Sequence, residues 1–169
     1  MGPRHLLALS LWALLLGLAP AHATAPRPGP GWTLYKGAWF DVYYPPKFTV
    51  VPRERGADKL PDGVSFRSPD GKVEFYIYSP QWAGNPTWYK KRPGEKCVAY
   101  RQQRKGSRTV TWVTYRAGDG SYERAIEDTA DTTLNCRRIF AILYKTPSAY
   151  RTYRPQYLKF KASLTQYAD

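Results

Sequence analysis

Between Trp39 and Tyr144 the chain is a succession of short alternating segments separated by proline and glycine turns, and its clearest helical period comes only afterwards, from Pro147. A polypeptide patterned in this way buries its apolar side chains by pairing neighbouring strands antiparallel and covering the sheet with helix, so the expected fold class is α+β. In the first segment Phe40, Val42 and Tyr44 fall on one face and Trp39, Asp41 and Tyr43 on the other, and Pro45-Pro46 ends it. An extended stretch resumes over 48–51, followed by a charged loop over 53–62. Segments 64–67 and 73–78 form a hairpin through Ser68-Pro69-Asp70-Gly71, with Val73, Phe75 and Ile77 expected in the core. Residues 79–96 read as a long irregular stretch that carries Trp82, Trp88 and Tyr89. Four further strands are predicted over 97–104, 109–116, 121–128 and 136–144. Lys105-Gly106-Ser107 and Ala117-Gly118-Asp119-Gly120 turn the first three.

The tail predicts a helix. Thr146 is suited to its N-cap and Pro147 to its first turn. Tyr150, Tyr153, Tyr157, Phe160 and Leu164 then recur at spacings of three and four and make one apolar stripe, which leaves Arg151, Arg154, Lys159 and Lys161 in water. Pro155 removes a hydrogen-bond donor, so a kink or two short helices meeting near Arg154-Pro155 is expected.

The front of the chain has the pattern of a secretory signal over 1–23: Arg4 as the positive region, an apolar run from Leu6 to Leu18, and Ala21-His22-Ala23 as the cleavage motif. Export to a periplasm or to the medium is expected. A Pro/Gly-rich leader follows over 24–31, and a single α+β domain over 32–169. Both histidines, His5 and His22, and the single methionine, Met1, lie inside the signal. The mature chain is therefore expected to lack both residue types, which excludes Ser-His-Asp and Cys-His catalysis, imidazole-held metals and methionine-ligated haem. No cofactor and no metal site is expected.

Of the 26 Lys and Arg, only Arg4 lies in the signal, and none of the 13 Asp and Glu does, so 25 cations face 13 acids and the mature charge is +12. A field of that strength speeds association with polyanions. The expected partners are an anionic polymer, an anionic membrane surface or an acidic protein, and export argues against intracellular nucleic acid. Cys97 and Cys136 are the only cysteines. In an oxidising compartment such a pair is expected to form a disulfide. A sequential meander would hold the two too far apart to bond, so a non-sequential strand order is expected with it.

The opening Phe40-Asp41-Val42-Tyr43-Tyr44-Pro45-Pro46-Lys47-Phe48, together with the closing strand Arg138-Ile139-Phe140-Ala141-Ile142-Leu143-Tyr144 and the Tyr150, Tyr153, Tyr157, Phe160, Ser163, Leu164 series after it, resembles the two ends of PsbP-like and DcrB-like exported domains. The resemblance implies an α/β/α sandwich on an antiparallel sheet and a non-enzymatic accessory or binding role. It transfers no functional residue.

Two kinds of site remain. Lys90, Lys91, Arg92, Arg101, Arg104, Lys105 and Arg108 interleave with Trp82, Trp88 and Tyr89, and cations beside aromatic rings can grip a polyanion by charge and by ring contact. An exported binding protein using this surface is the leading expectation. The alternative is a carboxylate-dependent enzyme acting on cell-envelope glycans through Glu123 and Glu127, which share a strand face. That chemistry needs the two carboxyls converging in a cleft about 5 to 9.5 Å apart.

Overall fold

The computed structural model describes residues 25–53, 62–80, 84, 86 and 89–167. The expected signal over 1–23, most of the charged loop, Trp82 and Trp88 lie outside them. In chain order the elements are β1 (Thr33–Lys36), β2 (Phe40–Tyr44), β3 (Thr49–Pro52), β4 (Gly63–Arg67), β5 (Val73–Tyr78), β6 (Lys96–Lys105), β7 (Arg108–Arg116), β8 (Glu123–Asp131), β9 (Cys136–Tyr144), α1 (Pro147–Ala162) and β10 (Thr165–Gln166). Seven strands form one sheet in the order β3-β4-β5-β9-β8-β7-β6, and β1-β2-β10 form a small second one. Every pairing is antiparallel. The α+β class holds, with strand well in excess of helix.

β5 lies between β4 and β9, and all six of its residues are buried. On one side Phe75 and Ile77 meet Phe66, Phe140, Ile142 and the helix residues Tyr157 and Phe160, under a lid completed by Phe40 and Val42 of the small sheet. Aromatic edges set the spacing: the Phe160 ring lies 5.4 Å from Phe66 and 5.5 Å from Phe75. On the other side Tyr76 and Tyr78 join Ile139, Ala141, Ile126 and Val113 in a second cluster, with Tyr89 packed against it. Glu74, buried on β5, is satisfied by Arg53 at 2.7 Å and Arg67 at 3.2 Å.

The helix begins as expected, the Thr146 hydroxyl accepting from the Ala149 amide at 3.1 Å. It runs unbroken through Pro155, so the tail is one helix and not two. The amide that Pro155 lacks would have bonded the Arg151 carbonyl, and both residues lie on the exposed side where water can satisfy it. Lys161 departs from its expected wet position and is half-buried in an ion pair with Glu127. The short strands β1 and β10 are not legible as periods in the sequence. The implied sandwich has helices on both faces, whereas among the described residues α1 is the only helix and it covers one face.

The expected disulfide is overturned. β6, β7, β8 and β9 are a sequential meander, and both cysteines are free thiols. Cys97 pairs with Tyr115, which pairs with Arg124, which pairs with Leu143, seven residues from Cys136 on β9. Three ladder spacings across and seven residues along place the two Cα atoms roughly 25 Å apart, against a bonding limit of about 7 Å.

A candidate binding surface on the β6–β7 hairpin

β6 and β7 are held together by a two-residue turn in which Gly106 takes φ 60° at the first central position, a left-handed conformation that glycine adopts without strain. From 96 to 118 the chain carries six cations, Lys96, Arg101, Arg104, Lys105, Arg108 and Arg116, and no carboxylate. β7 has its alternate residues Thr111 and Val113 buried against the second cluster. β6 is the end of the sheet, and all ten of its residues are exposed.

The ladder assigns the faces. Arg101, Trp112, Glu127 and Phe140 are cross-strand partners in one row, so they share the α1 side. The Arg101 guanidinium lies 5.3 Å from the Trp112 ring centroid. The Trp112 indole Nε1 donates to Glu127 Oε2 at 3.0 Å, and Lys161 Nζ of α1 donates to the same oxygen at 2.7 Å. Burial opposes ionisation of Glu127, but the Lys161 ammonium and the indole N–H outweigh it and hold the carboxyl below its ordinary range. Beside this row lies a groove of about 280 Å³ between α1 and the uncovered part of the sheet, lined by Trp112, Thr114, Tyr150, Arg154, Leu158 and Lys161. By the same ladder Lys105, Arg108, Lys96 and Arg116 also face the α1 side, while Tyr100, Gln102 and Arg104 face away.

The sequence-predicted cations therefore divide between two places. Arg101, Arg104, Lys105 and Arg108 come together on the hairpin. Lys90, Lys91 and Arg92 lie in the segment that precedes Lys96, at the other end of β6, roughly 30 Å from the tip by strand rise. That segment is pinned to the sheet. Glu95, 3% exposed, takes Arg124, 0% exposed, through two contacts, Nε to Oε1 at 2.7 Å and Nη2 to Oε2 at 2.6 Å. The Tyr122 hydroxyl and the Arg92 amide also donate to Glu95, each at 2.8 Å. Burial raises the cost of the charge, yet these donors, Arg124 first, outweigh it and hold the Glu95 carboxyl at about 2. Arg92 lies over the Tyr122 ring at 5.8 Å, and Tyr89 carries Arg137 over its ring at 5.4 Å. Tyr89 is thus a packing residue against the second cluster. Lys96, which the sequence groups with Lys90, Lys91 and Arg92, opens β6, while Arg116, Trp112 and Lys161 belong to the surface and were not singled out for it in the sequence. The absence of any acid from 96 to 118 was the available signal for Arg116.

β8 is an interior strand, not a solvated edge. Glu123 and Glu127 share its α1 face, about 13 Å apart at Cα, and each has its own partners. Glu123 accepts from Arg116 Nε at 2.7 Å and from the Tyr144 hydroxyl at 2.6 Å. The Tyr144 hydroxyl is the larger influence and Arg116 adds to it, so Glu123 too sits below the ordinary carboxylate range. Glycoside hydrolysis needs one carboxyl raised to act as the acid, and this pair supplies two that are lowered.

No protein-family model matches the sequence, and no curated protein is similar to it. Solved structures are similar to it in fold. The solution structure of cyanobacterial PsbP from Synechocystis sp. PCC 6803 is 12% identical, with 90% of this chain and 99% of that one covered and a TM-score of 0.50. A Bacteroides thetaiotaomicron structure is 16% identical over 82% of this chain and 49% of its own, TM-score 0.46. The Saccharomyces cerevisiae Ran-binding protein Mog1p is 7% identical over 81% and 96%, TM-score 0.44. The fold defines the class: the PsbP-like resemblance carried by the two ends of the sequence extends over the folded body. At such identity it is a statement about architecture, since one fold hosts many functions.

Proposed function

We propose that the protein is an exported, non-enzymatic binding or accessory protein that captures an anionic partner on the β6–β7 hairpin. The observation that carries this reading is the run of six cations and no carboxylate from 96 to 118, on a hairpin whose outer strand is exposed at every residue. Glu123 offsets Arg116 and Asp131 lies across the ladder from Arg108, so Lys96, Arg101, Arg104 and Lys105 of the edge strand are the cations that project a field outward and raise the encounter rate with a polyanion. Arg101 over Trp112 supplies a cation already stacked on a ring and open to a ligand from its outer side. The signal pattern over 1–23 supports export, and the lowered, separately paired Glu123 and Glu127 favour binding over carboxylate catalysis.

The test is retention of the mature chain on polyglutamate and on vesicles containing anionic lipid, each titrated with salt. Reversing Arg101, Arg104, Lys105 and Arg108 to Glu is expected to weaken retention more than tenfold and flatten its salt dependence, with the melting temperature preserved. Reversing Lys90, Lys91 and Arg92 is expected to have a smaller effect. Equal retention by the hairpin variant and the unaltered chain would remove the hairpin as the capture surface.

A further inference from the structure

β6 has β7 on one side and no strand on the other among the described residues. A sheet edge presents a row of unpaired N–H and C=O groups and is a template for another strand unless it is short, bulged or covered. β6 is ten residues long, and its single bulge, at Cys97 to Ala99, leaves 99–105 as a regular run in register with β7. Its side chains alternate in a defined way. Arg101 and Lys105 lie four residues apart on the α1 side with Gln103 between them, and Tyr100, 64% exposed, lies on the opposite side with Gln102 and Arg104.

Charge selects what this edge can pair with. A second copy docking β6 against β6 would set Lys96, Arg101, Arg104 and Lys105 against the same four cations with no carboxylate to offset them. An anionic polymer or a membrane surface would meet the cations but leave the backbone edge unused. We infer that β6 accepts an extended acidic segment of a partner polypeptide as an eighth strand. Acidic side chains four residues apart on one face would meet Arg101 and Lys105, and an aromatic or β-branched residue on the other would lie against Tyr100. The cations that recruit such a strand also repel basic ones, so the same residues give attraction and selectivity. This inference rests on the anionic-partner reading above and specifies its chemistry.

Two capped eight-residue peptides of identical composition, rich in Thr, Val and Tyr with two Glu each, separate the possibilities. One places its Glu residues four apart, in register with Arg101 and Lys105, and the other two apart, a spacing that no two cations of 99–105 share. With the mature chain, the first peptide is expected to bind at least tenfold more tightly than the second and to slow hydrogen exchange of the outward-facing amides within 99–105. Equal binding of both without slowed exchange would overturn strand pairing while leaving electrostatic capture intact. Binding of neither would also overturn it, with capture then judged by polyglutamate and vesicle retention. Concentration-dependent dimerisation of the chain alone, with protection of the same amides, would replace the acidic strand by a second copy and overturn the inference too.

Discussion

Two strands of the seven-stranded sheet, β5 in its interior and β6 at its edge, are built from the same kind of ladder and differ in what lies on their faces. At β5 every residue is buried, between an aromatic core under α1 on one side and the Tyr76 and Tyr78 cluster on the other. At β6 every residue is exposed, and the strand is held by its hydrogen bonds to β7 and by scattered side-chain contacts such as Gln102 to Thr111 at 3.0 Å. The contrast separates stability from recognition. Burial near β5 supplies the free energy of folding, which leaves β6 free to carry like charges that a core could not hold. The 89–95 segment ties the two regions together: its Glu95 grips Arg124 on β8, beneath the sheet face opposite α1.

The largest expected effect tests the packed side of this contrast. Phe160→Ala removes a ring with 0% exposure from among Phe66, Phe75 and Phe140, and should cost about 3 to 5 kcal/mol in urea or thermal unfolding. Tyr100→Ala on β6 should cost no more than about 0.5 kcal/mol. Similar losses at the two sites would mean that the open end is packed by something else.

A second effect sharpens the role of the tether. Because the folded Glu95 carboxyl sits at about 2, well below its ordinary 4.5, its ionisation contributes stability that is fully present above pH 4.5 and lost as pH falls toward 2. The difference is worth on the order of 3 kcal/mol. Glu95→Gln should flatten the acid limb of the stability curve across that window and lower stability at neutral pH. An unchanged acid limb would show that Glu95 is not the residue that couples the segment to the sheet. The smallest effect is at Cys97. With both thiols free, titration of the native chain under non-reducing conditions should find two thiols, and Cys97→Ser should shift stability by less than about 0.5 kcal/mol. A single intrachain bridge would break the sequential order of β6 to β9.

Much of the architecture was legible because strand and helix periods are local properties. The hairpin of β4 and β5, the limits of β9 and the stripe of α1 all follow from spacings within one segment and from turn residues beside it. The short strands β1 and β10 were not, since a four-residue and a two-residue strand have no period to read and exist only because β2 offers an edge to each. The basic surface was half legible. Its cations are visible in a row of letters, yet a ten-residue strand separates Lys90, Lys91 and Arg92 from Arg104 and Lys105, and sequence proximity concealed that distance. The pairing of Lys161 with Glu127 joins residues 34 positions apart, and no local pattern announces it.

By itself the sequence determined the α+β class, the strand segments of the second half, the excess of positive charge and the lack of histidine in the expected mature chain. Each of these depends on residue type and on spacing along the chain, which the covalent order specifies. Only the tertiary structure decided that β6 through β9 follow one another across the sheet, that Cys97 and Cys136 lie far apart, and that β6 is the exposed edge while β8 is interior. Strand order is set by which apolar faces are buried together and by which segments reach one another through space, and many orders share one pattern of alternation.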